Sequence, residues 1–199
     1  MFTGIIEETG IVEAIEPKDN SFRLSIRIRK TGRGVKIGDS LAVNGCCLTV
    51  SMIDPRGHDK VVQFDLLHET WSITNLQYCV AGSVVNLERS LEAGGRLGGH
   101  FVTGHIDGLG KIVQWEQRGE DRKIQILAPE EVMRYLVHKG SVAIDGISLT
   151  IAEVAKEHFS VWIIPHTFEV TVIKERAVGD VVNLESDIVG KYVERFAVR

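Results

Sequence analysis

The feature that most constrains this chain is an internal repeat. Asn44-Gly45 lies between Leu41-Ala42-Val43 and Cys46-Cys47-Leu48-Thr49-Val50. It returns as Asp145-Gly146, between Val142-Ala143-Ile144 and Ile147-Ser148-Leu149-Thr150-Ile151. Asn-Gly or Asp-Gly between alternating apolar residues is the strongest short-range hairpin signal. Thr3-Gly4 returns as Thr103-Gly104, and Val84-Val85-Asn86-Leu87-Glu88 recurs unchanged as Val181-Val182-Asn183-Leu184-Glu185. Three motifs in one order, about a hundred residues apart, divide the 199 residues into two copies of one unit, Met1 to Ser90 and Phe101 to Asp187. That period exceeds the roughly 20–50 residues of a solenoid repeat. It suits two tandem domains of near-minimal size.

Within each copy the pattern is mostly strand. Phe22 to Arg29 alternates apolar and polar residues, the mark of a strand with one face to the core. Lys60 to Leu67 and Ser160 to Ile164 read as further strands. Many short strands with glycine turns suggest a small closed barrel, which leaves no exposed edge. A helix is expected at Pro129 to Leu136, with proline near its start, acids in its first turn and Gly140 beyond its end. Glu69 to Gln77 and Thr167 to Glu175 read as short helices or turns. Leu91 to Gly99, with four glycines, reads as the linker. Val189, Tyr192, Val193 and Phe196 share one helical face near the end of the chain, suited either to its own domain or to an oligomer contact. The expected units are 1–97, 98–187 and a terminal helix, 188–199.

Composition excludes several classes. A net charge of -4 leaves no excess of cations for a general nucleic-acid surface. No apolar run approaches the length of a membrane span. Met1-Phe2-Thr3-Gly4-Ile5-Ile6-Glu7 lacks the basic start and cleavage site of a signal peptide. Three cysteines, two of them adjacent, read as thiols of a reducing compartment, hence a cytoplasmic protein. No Cys-x-x-Cys, His-Glu-x-x-His, phosphate loop, dinucleotide fingerprint or nucleophile elbow occurs, so neither a metal nor a cofactor is expected.

The candidates that remain are thiols and imidazoles near the repeated turns. In a strand, Cys46 and Cys47 point to opposite faces, so at most one lines a cavity. Cys79 reads as a buried small apolar residue. His100 and His105, an odd number of positions apart, would diverge in a strand and make a poor ligand pair. His68 and His166 stand near matching places in the two copies. Spacing alone supports tandem barrels that bind a ligand in their mouths or between them.

The joint motifs resemble the riboflavin synthase family. They are Met1-Phe2-Thr3-Gly4-Ile5-Ile6-Glu7-Glu8, Val43 to Val50, Gly98-Gly99-His100-Phe101-Val102-Thr103-Gly104-His105, Ile144 to Thr150 and Ile164-Pro165-His166-Thr167, in the family's order over nearly the whole chain. The resemblance implies a mainly β protein, two tandem six-stranded Greek-key β-barrels with a short C-terminal helix, assembled as a homotrimer. It implies dismutation of two 6,7-dimethyl-8-ribityllumazine molecules, by transfer of a four-carbon unit, to riboflavin and 5-amino-6-ribitylaminouracil. No cofactor takes part, and the resemblance leaves room for association with lumazine synthase. A non-catalytic lumazine- or flavin-binding protein on the same scaffold is the alternative.

By position, the resemblance implies roles for particular residues. Cys47 is the catalytic-pocket cysteine, which adds to the donor ring or helps place the nucleophile. Ser40, His105 and Asp187 assist nucleophile delivery and proton transfer. Phe2 packs at the N-terminal site. The implied N-terminal pocket contains Gly4, Ile5, Ile6, Cys47, Leu48, Thr49, Asp65, Leu66, Leu67, His68, Glu69 and Thr70. The implied C-terminal pocket contains Gly104, His105, Ile106, Ser148, Leu149, Thr150, Trp162, Ile163, Ile164, Pro165, His166 and Thr167. Lys139 is expected to reach the ligand from a partner subunit. His68 departs from the family, standing where many relatives have proline.

Overall fold

Alternating apolar residues set the strands of each barrel. A computed structural model describes residues 1–197. In the first copy the strands are β1 (Glu8–Pro17), β2 (Ser21–Ile28), β3 (Ser40–Val43), β4 (Cys46–Arg56), β5 (Asp59–Leu67) and β6 (Val84–Arg89). In the second they are β7 (Gly108–Arg118), β8 (Asp121–Leu127), β9 (Ser141–Ile144), β10 (Ile147–Val154), β11 (His158–Ile163) and β12 (Val181–Ser186). Both sets close into antiparallel barrels with the same order, β1-β2-β5-β4-β3-β6 and β7-β8-β11-β10-β9-β12. In each, three consecutive strands are followed by a fourth that returns beside the first of them, a Greek key. Matching bulges bend β1 at Val12/Ala14, β7 at Ile112/Gln114, β4 at Val50/Met52 and β10 at Ile151/Glu153. Such bulges supply the curvature that closure needs.

Each barrel has its own core. Leu24, Ile26, Phe64, Val85 and Leu87 fill the first, and Ile124, Ile126, Phe159, Val182 and Leu184 the second. The helices are short: α1 (His68–Ser72), α2 (Glu130–Met133), α3 (Pro165–Val170) and α4 (Ile188–Ala197). Two 3-10 turns, Asn75–Tyr78 and Val172–Glu175, follow α1 and α3. The helix expected at 129–136 is therefore cut to α2. Tyr135 and Leu136 instead donate backbone hydrogen bonds three residues back, as Val132, Met133 and Leu136 turn into the second core. The stretch His100 to His105 is not a strand; Val102 makes only an isolated bridge to Phe2. Residues 91–99 are irregular, as a linker should be. Residues 198–199 of the expected terminal segment lie outside the described residues.

The two barrels meet at the repeated turns. Asn44-Gly45 and Asp145-Gly146 all have positive φ, from 45° to 80°, which is why asparagine, aspartate and glycine occupy them. The two glycines face each other. A Cβ on Gly45 would stand 2.7 Å from Gly146 N, and one on Gly146 would stand 2.7 Å from Gly45 N. Around them the repeated asparagines cross the seam. Asn86 Nδ2 donates to Asp145 O (2.9 Å), and Asn183 Nδ2 donates to Asn44 O (2.8 Å). Asp145, fully buried, accepts from Asn75, from Asn183 N and from the Arg176 guanidinium. Burial pushes its carboxyl upward, against the opposing pull of Arg176.

Candidate active site

The pleat decides which residues of the repeated hairpin can meet a ligand. Side chains alternate along a strand, so Cys46, Leu48 and Leu66 face the first core, while Cys47, Thr49, Asp65 and Leu67 face outward. In the second barrel Ile147, Leu149 and Ile163 face inward, and Ser148, Thr150, Trp162 and Ile164 face outward. Leu48, Leu66, Leu149 and Ile163 therefore cannot offer side chains to a surface pocket, although they fall within the expected segments. Each outward set forms a shelf beside a short helix. Ser40 pairs with Thr49, as Ser141 pairs with Thr150. Thr70 lies in α1, and Pro165, His166 and Thr167 lie in α3. His68 opens α1 with its ring 6.0 Å from Phe22, which stacks on Trp71 at 4.3 Å. His68, Glu69 and His166 are exposed.

The N-terminal segments cross over, which corrects the expected grouping. Gly4, Ile5 and Ile6 belong to the C-terminal shelf, because Gly4 O accepts from Ser148 N (2.8 Å) and Ile6 packs on the second core. Gly104, His105 and Ile106 belong to the N-terminal shelf, because Gly104 O accepts from Cys47 N (2.8 Å) and Ile106 packs on the first core. Glycine is required at both contacts. A Cβ on Gly4 would stand 2.5 Å from Ser148 Cβ, and one on Gly104 would stand 2.5 Å from Cys47 Cβ. Phe2 and Val102 pair at the crossing, and with Ala42 and Ala143 they form a small cluster on which Cys47 rests.

Glu88 and Glu185 hold the crossed segments in place. Glu88 accepts from Thr3 N (2.7 Å), Thr3 Oγ1 (2.8 Å) and Gly4 N (3.0 Å). Glu185 repeats the pattern with Thr103 and Gly104, at 2.6, 2.7 and 2.9 Å. Burial raises both carboxyls from their ordinary value, and the donated N–H bonds oppose that rise. These contacts explain why Thr-Gly and Asn-Leu-Glu repeat together, a link that sequence reasoning missed although both motifs were visible.

The two shelves differ at several positions, Asp65 against Trp162 and His68-Glu69 against Pro165-His166 among them, and at one corner the difference is a thiol. Cys47, half-buried, stands where Ser148 stands in the second barrel. Its neighbour Cys46 lies in the core, where burial pushes its thiol up to about 12, so it is inert at neutral pH. Burial also raises Cys79, to about 11. Cys47 and Ser40 share the first barrel's outer face, and an exposed His105 follows Gly104, whose O accepts from Cys47 N. Asp187 follows β12, and its charge acts on His100. Lys139, exposed and left-handed at φ 66°, lies just before β9 on the C-terminal shelf and donates its N–H to Ile151 O. His100, given no role from the sequence, is buried, with Nδ1 2.7 Å from Ser148 Oγ. No cluster able to hold a metal ion occurs among the described residues. A concavity of about 710 Å³ between Tyr78 and the start of α2 contains none of the expected residues.

Two like shelves on two like barrels define a duplicated ligand-binding protein, and family comparison identifies the ligand class. The lumazine binding domain family matches residues 3–90 and 103–187. The chain is 43% identical over 196 residues to riboflavin synthase of Bacillus amyloliquefaciens, covering 98% of this chain and 89% of that one. It is 45% identical over 198 residues to the Mycobacterium bovis enzyme, covering 98% and 97%. It is similar to a solved structure of LumP complexed with riboflavin, with a TM-score of 0.84 and 29% identity over 94% of this chain and 99% of that one. The same protein with 6,7-dimethyl-8-(1'-D-ribityl) lumazine gives a TM-score of 0.82 and 26% identity, with the same coverage. The chain is thus a tandem lumazine-binding-domain protein. It belongs to the riboflavin synthase family.

Proposed function

We propose that this chain catalyses the dismutation of two 6,7-dimethyl-8-ribityllumazine molecules to riboflavin and 5-amino-6-ribitylaminouracil. The observation that carries the reading is the duplication of the shelf. Donor and acceptor are the same compound, and the chain offers an outward face of the same backbone design twice, around Cys47 and around Ser148. Holding two reactants face to face removes much of the entropic barrier, about 7–11 kcal/mol in well-aligned cases. The methyl at ring position seven is acidic because its carbanion is delocalised over the heterocycle. A modest base and fixed hydrogen-bond donors then suffice. Cys47, with Ser40 and His105 on the same barrel, is the reactive corner in this reading.

The shelves are open to solvent: Leu67 is 68% exposed and Ile164 is 55% exposed. A second subunit would close them, with the N-terminal shelf of one subunit facing the C-terminal shelf of its neighbour and Lys139 reaching across. A homotrimer is the proposed assembly. The helix α4 supports it, because Val189, Tyr192, Val193 and Phe196 are 52–74% exposed, an apolar stripe left uncovered by the described residues. No helix among the described residues is long and apolar enough to cross a membrane, in keeping with the proposed cytoplasmic location. The test is direct: the purified protein is incubated with the dimethyl lumazine and riboflavin is followed by absorbance. Turnover supports the reading. Tight binding of one ligand without turnover would favour a binding protein on the same scaffold.

A further inference from the structure

We propose that a basic cup on the first barrel, formed by Arg29, Arg33, His58 and Lys60, binds a tetrahedral phosphate group, either inorganic phosphate or the phosphate of a monoester. None of these residues belongs to either shelf, and the dismutation reading makes no use of them.

Two segments make the cup. The loop between β2 and β3 supplies Arg29 and Arg33; the turn between β4 and β5 supplies His58, with Lys60 just inside β5. With Gly32 they line a concavity of about 210 Å³. Pockets that engulf a drug-sized ligand run to about 300–1,000 Å³. This one admits a charged group rather than a whole heterocycle. Arg33 and His58 are exposed and Lys60 is half-buried, and none of the three enters an ion pair among the described residues. Arg29 has only a loose pair, its Nε 3.9 Å from Asp59. Like charges crowded into one concavity repel, and a bound anion relieves that repulsion.

The other nearby acids are engaged elsewhere. The Glu8 carboxylate accepts from Arg29 N (3.2 Å), Lys30 N (2.8 Å) and Thr31 N (2.6 Å), so it binds the loop's backbone and not its guanidinium groups. Arg89 Nη1 donates to Arg33 O (3.3 Å), a second hold on that backbone. Asp54 pairs with Arg56 (2.7 Å). The loop is thus anchored while the Arg29 and Arg33 side chains stay exposed. A guanidinium fork matches the oxygens of a phosphate.

The second barrel is an internal control. Leu24 pairs with Phe64 as Ile124 pairs with Val161, so Arg29 matches Pro129 and Lys60 matches Glu157. The concavity there is lined by Pro129, Glu130, Lys156 and Glu157 among others. The same fold therefore forms without the cations of the cup, and the fold does not account for them. Both surfaces are concave, so they cannot fill each other across two copies of the chain, and a small anion is the occupant that fits. The cup also lies far from the thiol: Cys47 and Arg56 stand near opposite ends of β4 (Cys46–Arg56), about 30 Å apart along the strand.

Calorimetric titration of the full chain at fixed ionic strength tests this, with inorganic phosphate, phenyl phosphate and acetate as probes. The variants are Arg33→Gln with Lys60→Gln, Lys60→Glu, and Arg56→Gln as a basic residue outside the cup; thermal melting checks that each folds. Both phosphates should bind, with acetate about tenfold or more weaker, because a carboxylate offers fewer oxygens and less charge. The double variant and Lys60→Glu should each lose about ten- to a hundredfold in phosphate affinity, the scale of a lost hydrogen bond to a charged group. Arg56→Gln should bind as the wild type does. Equal affinity for the two phosphates would identify the free ion as sufficient, and tighter binding of phenyl phosphate would identify an ester; both outcomes support the cup. No heat with either phosphate, undiminished affinity in both cup variants, an equal loss in Arg56→Gln, or displacement of phosphate by riboflavin would each overturn the proposal.

Discussion

Replacing Gly45 by alanine should weaken the seam between the barrels by an amount the geometry bounds. Gly45 has φ +78°, and a Cβ there would lie 2.7 Å from Gly146 N and 2.9 Å from Gly146 Cα. The left-handed backbone costs alanine about 1–2 kcal/mol. The overlap falls on backbone, which cannot rotate away as a side chain can, and overpacking of this kind costs about 1–3 kcal/mol. The sum is about 2–5 kcal/mol; for a chain of this size each kcal/mol lowers Tm by about 2–4 °C. Gly57 supplies the control. It has φ +66° but nothing within 4 Å of its Cβ position, so Gly57→Ala carries only the backbone cost of about 1–2 kcal/mol. Thermal unfolding followed by circular dichroism should place Gly45→Ala below Gly57→Ala. Equal melting temperatures would refute the idea that the facing glycines set the approach of the barrels.

Three further outcomes follow from the site. Cys47→Ser should lower kcat by about tenfold or more and more than Ser148→Ala does, since only the first barrel carries a thiol at this corner; equal losses would mean that the shelves share the chemistry. Glu185→Gln should be destabilising, with a deficit that shrinks as pH rises from 4 to 7. The folded pKa of Glu185 is raised, so the native state binds its proton more tightly than the unfolded chain does. That contribution is present below the unfolded value and lost as pH rises through the folded one, and glutamine has no such loss. A deficit that grows with pH, measured by denaturant titration, would contradict the assignment. Deleting residues from Gly190 onward should reduce the sedimenting mass below that of a trimer; an unchanged mass would leave α4 with a surface role only.

Much of the fold was legible because strand periodicity and turn chemistry are local. The alternation from Phe22 to Arg29 gave β2, and Asn44-Gly45 and Asp145-Gly146 each mark a two-residue hairpin. Parity along a strand also separates Cys46, which is buried, from Cys47, which is half-buried. The helix at 129–136 was overextended because its capping signals are local, whereas its end is set by Val132, Met133 and Leu136 sinking into the second barrel. His100 and His105 do diverge, one buried and one exposed, but not for the expected reason, since their segment is not a strand.

What the sequence determined by itself was equivalence: which residues of one copy match which of the other, and that one corner pairs Cys47 with Ser148. Equivalence does not say which barrel an end segment packs against. Thr3-Gly4 reads the same whether it folds back on its own strands or crosses to the other copy, since the glycine and the capping carboxylate are needed either way. Only the tertiary structure decided that Gly4 meets Ser148 and Gly104 meets Cys47, with Glu88 and Glu185 holding the crossing. The same long-range contact brings His100 onto Ser148, a pairing 48 residues apart that no periodicity encodes.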